Sequence, residues 1–213
     1  MKIEVNNIYK SYHSRHRDID VLKDVTFSLE KGKFYCLKGD SGCGKTTLLS
    51  ILAGVIKPDK GQVIVDDTNL TALSEDNRTK LRRHTIAYIP QAQEVIDDLT
   101  VEENITLVDY FEGKKINQEK LEEVVNILGI NKLRKEYPRE LSGGEARRVI
   151  FARALYQGAS VIYADEPTND LDKDNREAIA SIIKSITEKG VTFMAATHDE
   201  GLMCRANKVF ALQ

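Results

Sequence analysis

The sequence predicts an α/β fold built on a mainly parallel sheet, and three observations predict it. Residues 33–38, 160–164 and 191–196 are short, nearly continuous apolar runs, the pattern of strands buried on both faces. Stretches with helical spacing of apolar residues separate them. A glycine-rich turn joins the first of these strands directly to a helix.

In chain order, residues 2–9, 21–29 and 33–38 read as strands, rich in β-branched and aromatic residues and bounded by Gly, Asp or Asn. Residues 45–53 carry Leu48, Leu49 and Leu52 at helical spacing and stop at Gly54, with Pro58 beyond. Strands follow at 62–65 and 85–89. In the middle, Leu121, Val124, Val125 and Leu128 form one helical face that ends at Gly129. The last third alternates strand 160–164, helix 175–189, strand 191–196 and strand 208–212.

Composition bounds the function. The chain has 213 residues, with 31 Lys+Arg against 33 Asp+Glu for a formal charge of −2, and 41% hydrophobic residues. That is ordinary globular composition, long enough for a full core in one domain, 1–213. The charge balance gives no electrostatic case for a nucleic-acid partner, and none is expected. Cys36, Cys43 and Cys204 form no C-x-x-C pair, which argues against a zinc site or a disulfide framework and for a reducing compartment. No signal peptide and no membrane-spanning run is readable, so a cytoplasmic location is expected.

Residues 33–47, KFYCLKGDSGCGKTT, place Gly39, Gly44, Lys45 and Thr46 in the pattern G-x-x-x-x-G-K-[ST], after a strand and before a helix. Such a loop turns backbone N–H groups toward phosphate oxygens, and the helix N-terminus adds positive potential. Lys45 then reaches the outer phosphates and the Thr46 hydroxyl can ligate Mg²⁺. Gly39, Asp40, Ser41, Gly42, Cys43, Gly44, Lys45, Thr46 and Thr47 are therefore candidate nucleotide contacts. Residues 161–166, VIYADE, deliver two carboxylates at the C-terminal end of a buried strand, where ligands of parallel sheets collect. Asp165 is the candidate Mg²⁺ holder and Glu166 the group that orients or deprotonates an attacking water.

A third constellation, Leu141-Ser142-Gly143-Gly144-Glu145, narrows the class. With the two motifs above it closely resembles the signature of the ATP-binding cassette family, usually LSGGQ. The resemblance runs over essentially the whole chain. Gln91 in YIPQ resembles the family's Q-loop glutamine, a Mg²⁺ contact. Residues 168–172, TNDLD, resemble the D-loop with Asp172, and His198 in ATHD resembles the switch histidine, which with Lys45 and Glu166 would form the catalytic set. Tyr12 resembles the aromatic residue that stacks on adenine, with His13 as the alternative, because the polar stretch SRHRDID after it is longer than a tight hairpin needs.

The resemblance implies a P-loop NTPase core with an N-terminal antiparallel β subdomain and an α-helical subdomain inserted at roughly 92–158. It also implies a head-to-tail dimer with a second copy, two Mg-ATP held between the loop of one subunit and the signature of the other. The residues support that trans role. Ser142 and Glu145 form an S-x-x-E capping box at the start of a helix over 146–155, so that Gly143 and Gly144 would present N–H groups and positive potential outward.

Two departures carry information. Glu145 stands where glutamine is commoner and would repel a polyphosphate unless it folds back onto its own cap. Cys43 lies inside the phosphate loop, where Lys45 and the helix start should lower its thiol pKa and make alkylation block hydrolysis.

The resemblance implies an ATPase subunit that powers a separate integral-membrane permease, peripheral on the cytoplasmic face of the membrane. About fifteen residues follow His198, so a C-terminal regulatory domain of the kind some sugar-importer ATPases carry is not expected. Local wording is most similar to the subgroup serving lipoprotein release and antimicrobial-peptide or macrolide efflux. The alternative is a soluble cassette ATPase, for example in iron–sulfur cluster assembly.

Overall fold

In the computed structural model the described residues are 1–14, 17–92 and 95–212, with side chains described for all of these except 13, 14 and 17. The chain opens with a long antiparallel hairpin, β1 (Lys2–Ser14) and β2 (Arg17–Glu30). Pairing continues through Ser11↔Asp20 and Tyr12↔Ile19 to Ser14↔Arg17, so Ser14 and residues 17–20 of the polar stretch expected to be connection belong to the strands. Polar cross-strand contacts carry it. Ser11 Oγ donates to Asp20 at 2.9 Å, and Asp59 accepts from the Ser11 N–H and Lys10 Nζ, both at 2.7 Å.

β3 (Phe34–Lys38) leads into α1 (Lys45–Leu52), and β4 (Lys60–Val65) with β5 (Thr68–Asn69) returns to the first sheet. Then come α2 (Glu75–His84) and β6 (Ile86–Ile89), followed by α3 (Val101–Ile105), α4 (Leu107–Glu112), α5 (Gln118–Ile127) and α6 (Gly143–Tyr156). The chain closes with β7 (Val161–Asp165), α7 (Lys173–Glu188), β8 (Thr192–Ala196), α8 (Glu200–Met203) and β9 (Lys208–Ala211). Helix α2 escapes a periodicity reading because its buried residue is Arg78, not an apolar stripe.

Two sheets result. One is antiparallel, in the order β2-β1-β4-β5, and the other is parallel, in the order β6-β7-β8-β3-β9. The parallel strands explain their own unbroken hydrophobicity. Phe34, Cys36, Ile162, Ala164, Phe193 and Ala195 face one core, with Val101, Leu121, Val149 and Ile179 from the helices. Tyr35, Leu37, Val161, Tyr163, Met194 and Ala196 face the other, with Leu48 and Leu52 of α1 and Ile3 and Val63 of the antiparallel sheet. Alternate side chains on each strand therefore serve different cores, so neither face is polar. The fold is a P-loop NTPase core with an antiparallel β sheet and helices packed around it.

Candidate active site

Parallel strands present their C-terminal ends at one edge, so residues that follow adjacent strands meet there. The order β6-β7-β8-β3 sets Gln91, Asp165 with Glu166, His198 and the 39–47 loop side by side. They surround one cavity of about 480 Å³, lined by Ser41, Gly42, Gly44, Lys45, Thr46, Thr47, Gln91, Asp165, Glu166 and His198. Val21 and Asn169, which the sequence did not single out, complete its wall.

Gly44 is required twice. Its φ of +99° lies in the left-handed region, and a Cβ there would stand 2.6 Å from Val21 Cγ1. This turn aims the start of α1 at the cavity. Lys45 is buried, and its Nζ donates to the carbonyls of Gly39 at 2.6 Å and Asp40 at 2.9 Å. Those two residues thus orient the ammonium without themselves lining the cavity. Nζ has three donors, so one remains for an anion.

Asp165 is buried at the end of β7 and accepts a hydrogen bond from Thr46 Oγ1 at 2.5 Å. Its neighbour Glu166 has φ +46°, rare for a non-glycine residue and costing on the order of 1 kcal/mol. Successive strand residues point to opposite faces, so this kink is what lets two consecutive carboxylates share one cavity. The Glu166 N–H is held by the Ala196 carbonyl at 2.8 Å. Its carboxylate accepts the His198 N–H at 3.4 Å and lies 3.6 Å from His198 Nε2. Thr168 Oγ1 donates to Asp199 at 2.9 Å, tying the loop after β7 to the loop after β8.

The donor set suits Mg²⁺. One carboxylate and one hydroxyl, in a cavity that Gln91 also lines, are hard oxygen ligands that leave positions for water and phosphate oxygens. Among the described residues no group of three His, Cys, Asp or Glu forms a closed cage that would favour another metal.

The signature residues and Asp172 are not in this cavity. Ser142 caps α6: its Oγ accepts the Glu145 N–H at 3.4 Å, while the Glu145 carboxylate accepts from the Ser142 N–H at 2.8 Å and Oγ at 2.7 Å. Glu145 is thus folded back onto its own cap, and the Ser142 hydroxyl and N–H hold its carboxyl below the usual range. Ser142 and Gly143 are exposed, whereas Gly144 is buried and differs from the outward presentation expected of it. A Cβ at Gly144 would stand 2.2 Å from Asn175 Oδ1. Asn175 in turn donates through N and Nδ2 to Asp172 at 2.8 and 2.9 Å, which caps α7. That backbone hydrogen bond holds the Asp172 carboxyl low. Asn175 is the residue that sequence reasoning missed here; its place three residues into a helix after a capping Asp was the available signal.

Two other expectations land elsewhere. Cys43 is half-buried and packs on the core behind α1, its Sγ 2.5 Å from where a Cβ of residue 39 would stand, so the thiol does not line the cavity. Tyr12 is exposed on β1, opposite Ile19, with Lys10 Nζ 5.6 Å from its ring, and is not a lining residue. The alternative, His13, has its side chain outside the described residues.

A phosphate loop, a buried carboxylate bonded to its threonine and a second carboxylate beside a histidine define a P-loop ATPase. The chain belongs to the ABC transporter family, whose model matches residues 22–169. It is 36% identical to the lipoprotein-releasing system ATP-binding protein LolD of Blochmanniella floridana, over 96% of this chain and 88% of that protein. It is also 36% identical to the bacitracin export ATP-binding protein BceA of Halalkalibacterium halodurans, over 92% and 79% respectively. A dimeric post-hydrolysis structure of the ATP-binding cassette MJ0796, bound to ADP and phosphate, superposes with a TM-score of 0.90 at 31% identity, covering 99% of this chain and 94% of that one. The chain is an ATP-binding subunit of the transporter type that hydrolyses ATP. Among the described residues no helix is long and apolar enough to cross a membrane.

Proposed function

We propose that this chain dimerises head to tail around two Mg-ATP and drives a separate integral-membrane permease, an exporter of peptide, lipoprotein or drug, from the cytoplasmic face of the membrane. The observation that carries the reading is a division. Lys45, Thr46, Gln91, Asp165, Glu166 and His198 share one cavity, while Ser142, Gly143 and Asp172 sit on helix starts outside it. A site that needs both sets is completed by a second copy. The relatives named for lipoprotein release and bacitracin export support the exporter class.

In this mechanism the backbone of 41–44 and the start of α1 cradle the phosphates, and Lys45 meets the outer ones. Thr46, Asp165 and Gln91 would hold Mg²⁺, which would supply positive charge against the phosphates. Glu166 orients the attacking water and accepts its proton. His198, beside Glu166, fixes that carboxylate and meets the terminal phosphate. Ser142 and Gly143 of the partner complete the shell around that phosphate. Loss of the terminal phosphate removes what the two halves share, and the subunits separate.

The test is Glu166→Gln with Mg-ATP in gel filtration, followed by affinity capture of the tagged variant from detergent-solubilised host membranes. The reading expects a stable dimer with turnover down by roughly 100-fold or more, and a co-eluting protein with several membrane spans. A monomer at millimolar Mg-ATP removes the sandwich. A dimer that captures only soluble proteins removes the permease.

A further inference from the structure

Arg147, one turn into α6, is 2% exposed, and the mechanism above gives it no part. A guanidinium does not shed its proton on burial, so it normally enters a protein interior opposite a carboxylate. Arg147 is held differently. Its Nη1 donates to the Pro90 carbonyl at 3.4 Å and its Nη2 to the Gln91 carbonyl at 3.3 Å, while Nε has no partner among the described residues. Burial pushes its pKa below the ordinary arginine range, and the charge of Asp170 opposes that push. Asp170 adjoins Asn169, which lines the cavity, and has a φ of +59°.

The guanidinium therefore stands among three segments: the helix that begins at the signature, the chain leaving β6, and the loop after β7. The position of Gln91 needs such an anchor. The β6–β7 ladder ends at Ile89↔Ala164, and Pro90 has no N–H to extend it. Immediately beyond the ladder, the carbonyls that fix the backbone of Gln91 are those bonded by Arg147.

We propose that Arg147 is a positioning residue that sets the Gln91 side chain beside the Thr46–Asp165 pair and joins that setting to α6, whose first residues serve the partner's nucleotide. The inference rests on the Mg²⁺ role given to Gln91 above. Through Arg147, a shift of Gln91 at one site moves the helix that closes the other.

The test uses the full chain in the Glu166→Gln background and reads, by light scattering, the Mg²⁺ concentration that half-saturates ATP-driven dimerisation. Melting temperature and metal-free nucleotide affinity are read beside it. Arg147→Met and Arg147→Gln should each raise the Mg²⁺ midpoint, Met by roughly tenfold and Gln by less, because its amide can still donate to one carbonyl. Metal-free affinity should stay within about twofold, since the phosphate loop is untouched. Added to Gln91→Ala, which should itself raise the midpoint, Arg147→Met should shift it no further. A lowered melting temperature with an unmoved midpoint would show a merely structural arginine, and a fully additive shift would show that Arg147 does not act through Gln91; either overturns the inference alone. An unmoved midpoint in Gln91→Ala removes the Mg²⁺ role of Gln91 and the inference with it.

Discussion

The two halves of the proposed nucleotide site are built by opposite means. The cavity half stands on the ends of parallel strands and on backbone bent into sparsely populated conformations, φ +99° at Gly44 and +46° at Glu166. Its polar groups are each held around an opening, Lys45 on the Gly39 carbonyl, Asp165 by Thr46 and Glu166 by the His198 N–H. The signature half stands on two relaxed helix starts whose carboxylates are spent on their own caps, Glu145 on Ser142 and Asp172 on Asn175. Charge to grip an anion is concentrated in the first half. The second offers shape and helix-terminal potential, and depends on how tightly α6 and α7 meet at Gly144 and Asn175.

The strongest way to break this contrast is to damage each half alone. Lys45→Ala removes the buried ammonium of the phosphate loop and should weaken ATP binding by roughly 10- to 100-fold, the worth of a charge-assisted hydrogen bond. Calorimetry on the isolated chain measures it. Gly144→Ala should leave that binding within about twofold yet lower ATPase by more than about tenfold, because the new methyl meets Asn175 Oδ1 and displaces the α6 start. Adding Asn175→Ala should recover much of the loss by vacating the space. If Gly144→Ala weakened ATP binding as much as Lys45→Ala, the two halves would not be separate in the single chain.

The cavity half was also the more legible in the sequence, for the same physical reason. A tight phosphate loop constrains residue type at fixed spacing, so Gly39, Gly44, Lys45 and Thr46 announce themselves, and the buried strand ending in Asp165 and Glu166 does likewise. The capping box at Ser142 and Glu145 was readable from local spacing, and the structure folds Glu145 back as that spacing predicts. What could not be read depends on contacts between segments distant in sequence. Asn175 over Gly144, Arg147 against the Pro90 and Gln91 carbonyls, and Thr168 on Asp199 leave no periodic trace. Helix α2, with an arginine as its buried residue, was invisible to a search for apolar stripes. The hairpin pairs farther than its polar end suggested, because Ser11, Asp20 and Asp59 replace apolar cross-strand partners with hydrogen bonds.

A milder test addresses the self-contained charges of the signature half. The Glu145 and Asp172 carboxyls are held low by hydrogen bonds at their helix starts, Glu145 from its cap Ser142 and Asp172, itself a cap, from Asn175; outside this half, Thr100 at the start of α3 does the same for Glu103. A carboxyl whose folded pKa lies below its unfolded value contributes stability that is present above the unfolded value and lost as pH falls through the folded one. Melting temperature should therefore be flat near neutrality and fall below about pH 4.5, as these caps protonate. Glu145→Gln should flatten part of that acid limb. At low salt the same variant should leave ATP-driven dimerisation close to that of the parent, because the carboxylate is directed at Ser142. A sharp tightening instead would mean that the charge reaches the nucleotide across the interface.

The smallest expected effect lies in the strand that carries the cavity half. Tyr163 is fully buried in the middle of β7, two residues before Asp165, and its hydroxyl has no hydrogen-bond partner among the described residues. Burial pushes its pKa upward, as an apolar setting requires. The ring fills core between β7 and α1, so the hydroxyl, not the ring, is the costly part. Tyr163→Phe keeps the ring and removes an unsatisfied donor, and should stabilise the fold by about 1 kcal/mol in chemical denaturation. Because β7 fixes Asp165 through its backbone ladder to Ala196, ATPase should stay within about twofold of the parent. A destabilisation of comparable size would show that the hydroxyl has a partner, and that the strand beneath the carboxylates is held by a polar contact as well as by apolar packing.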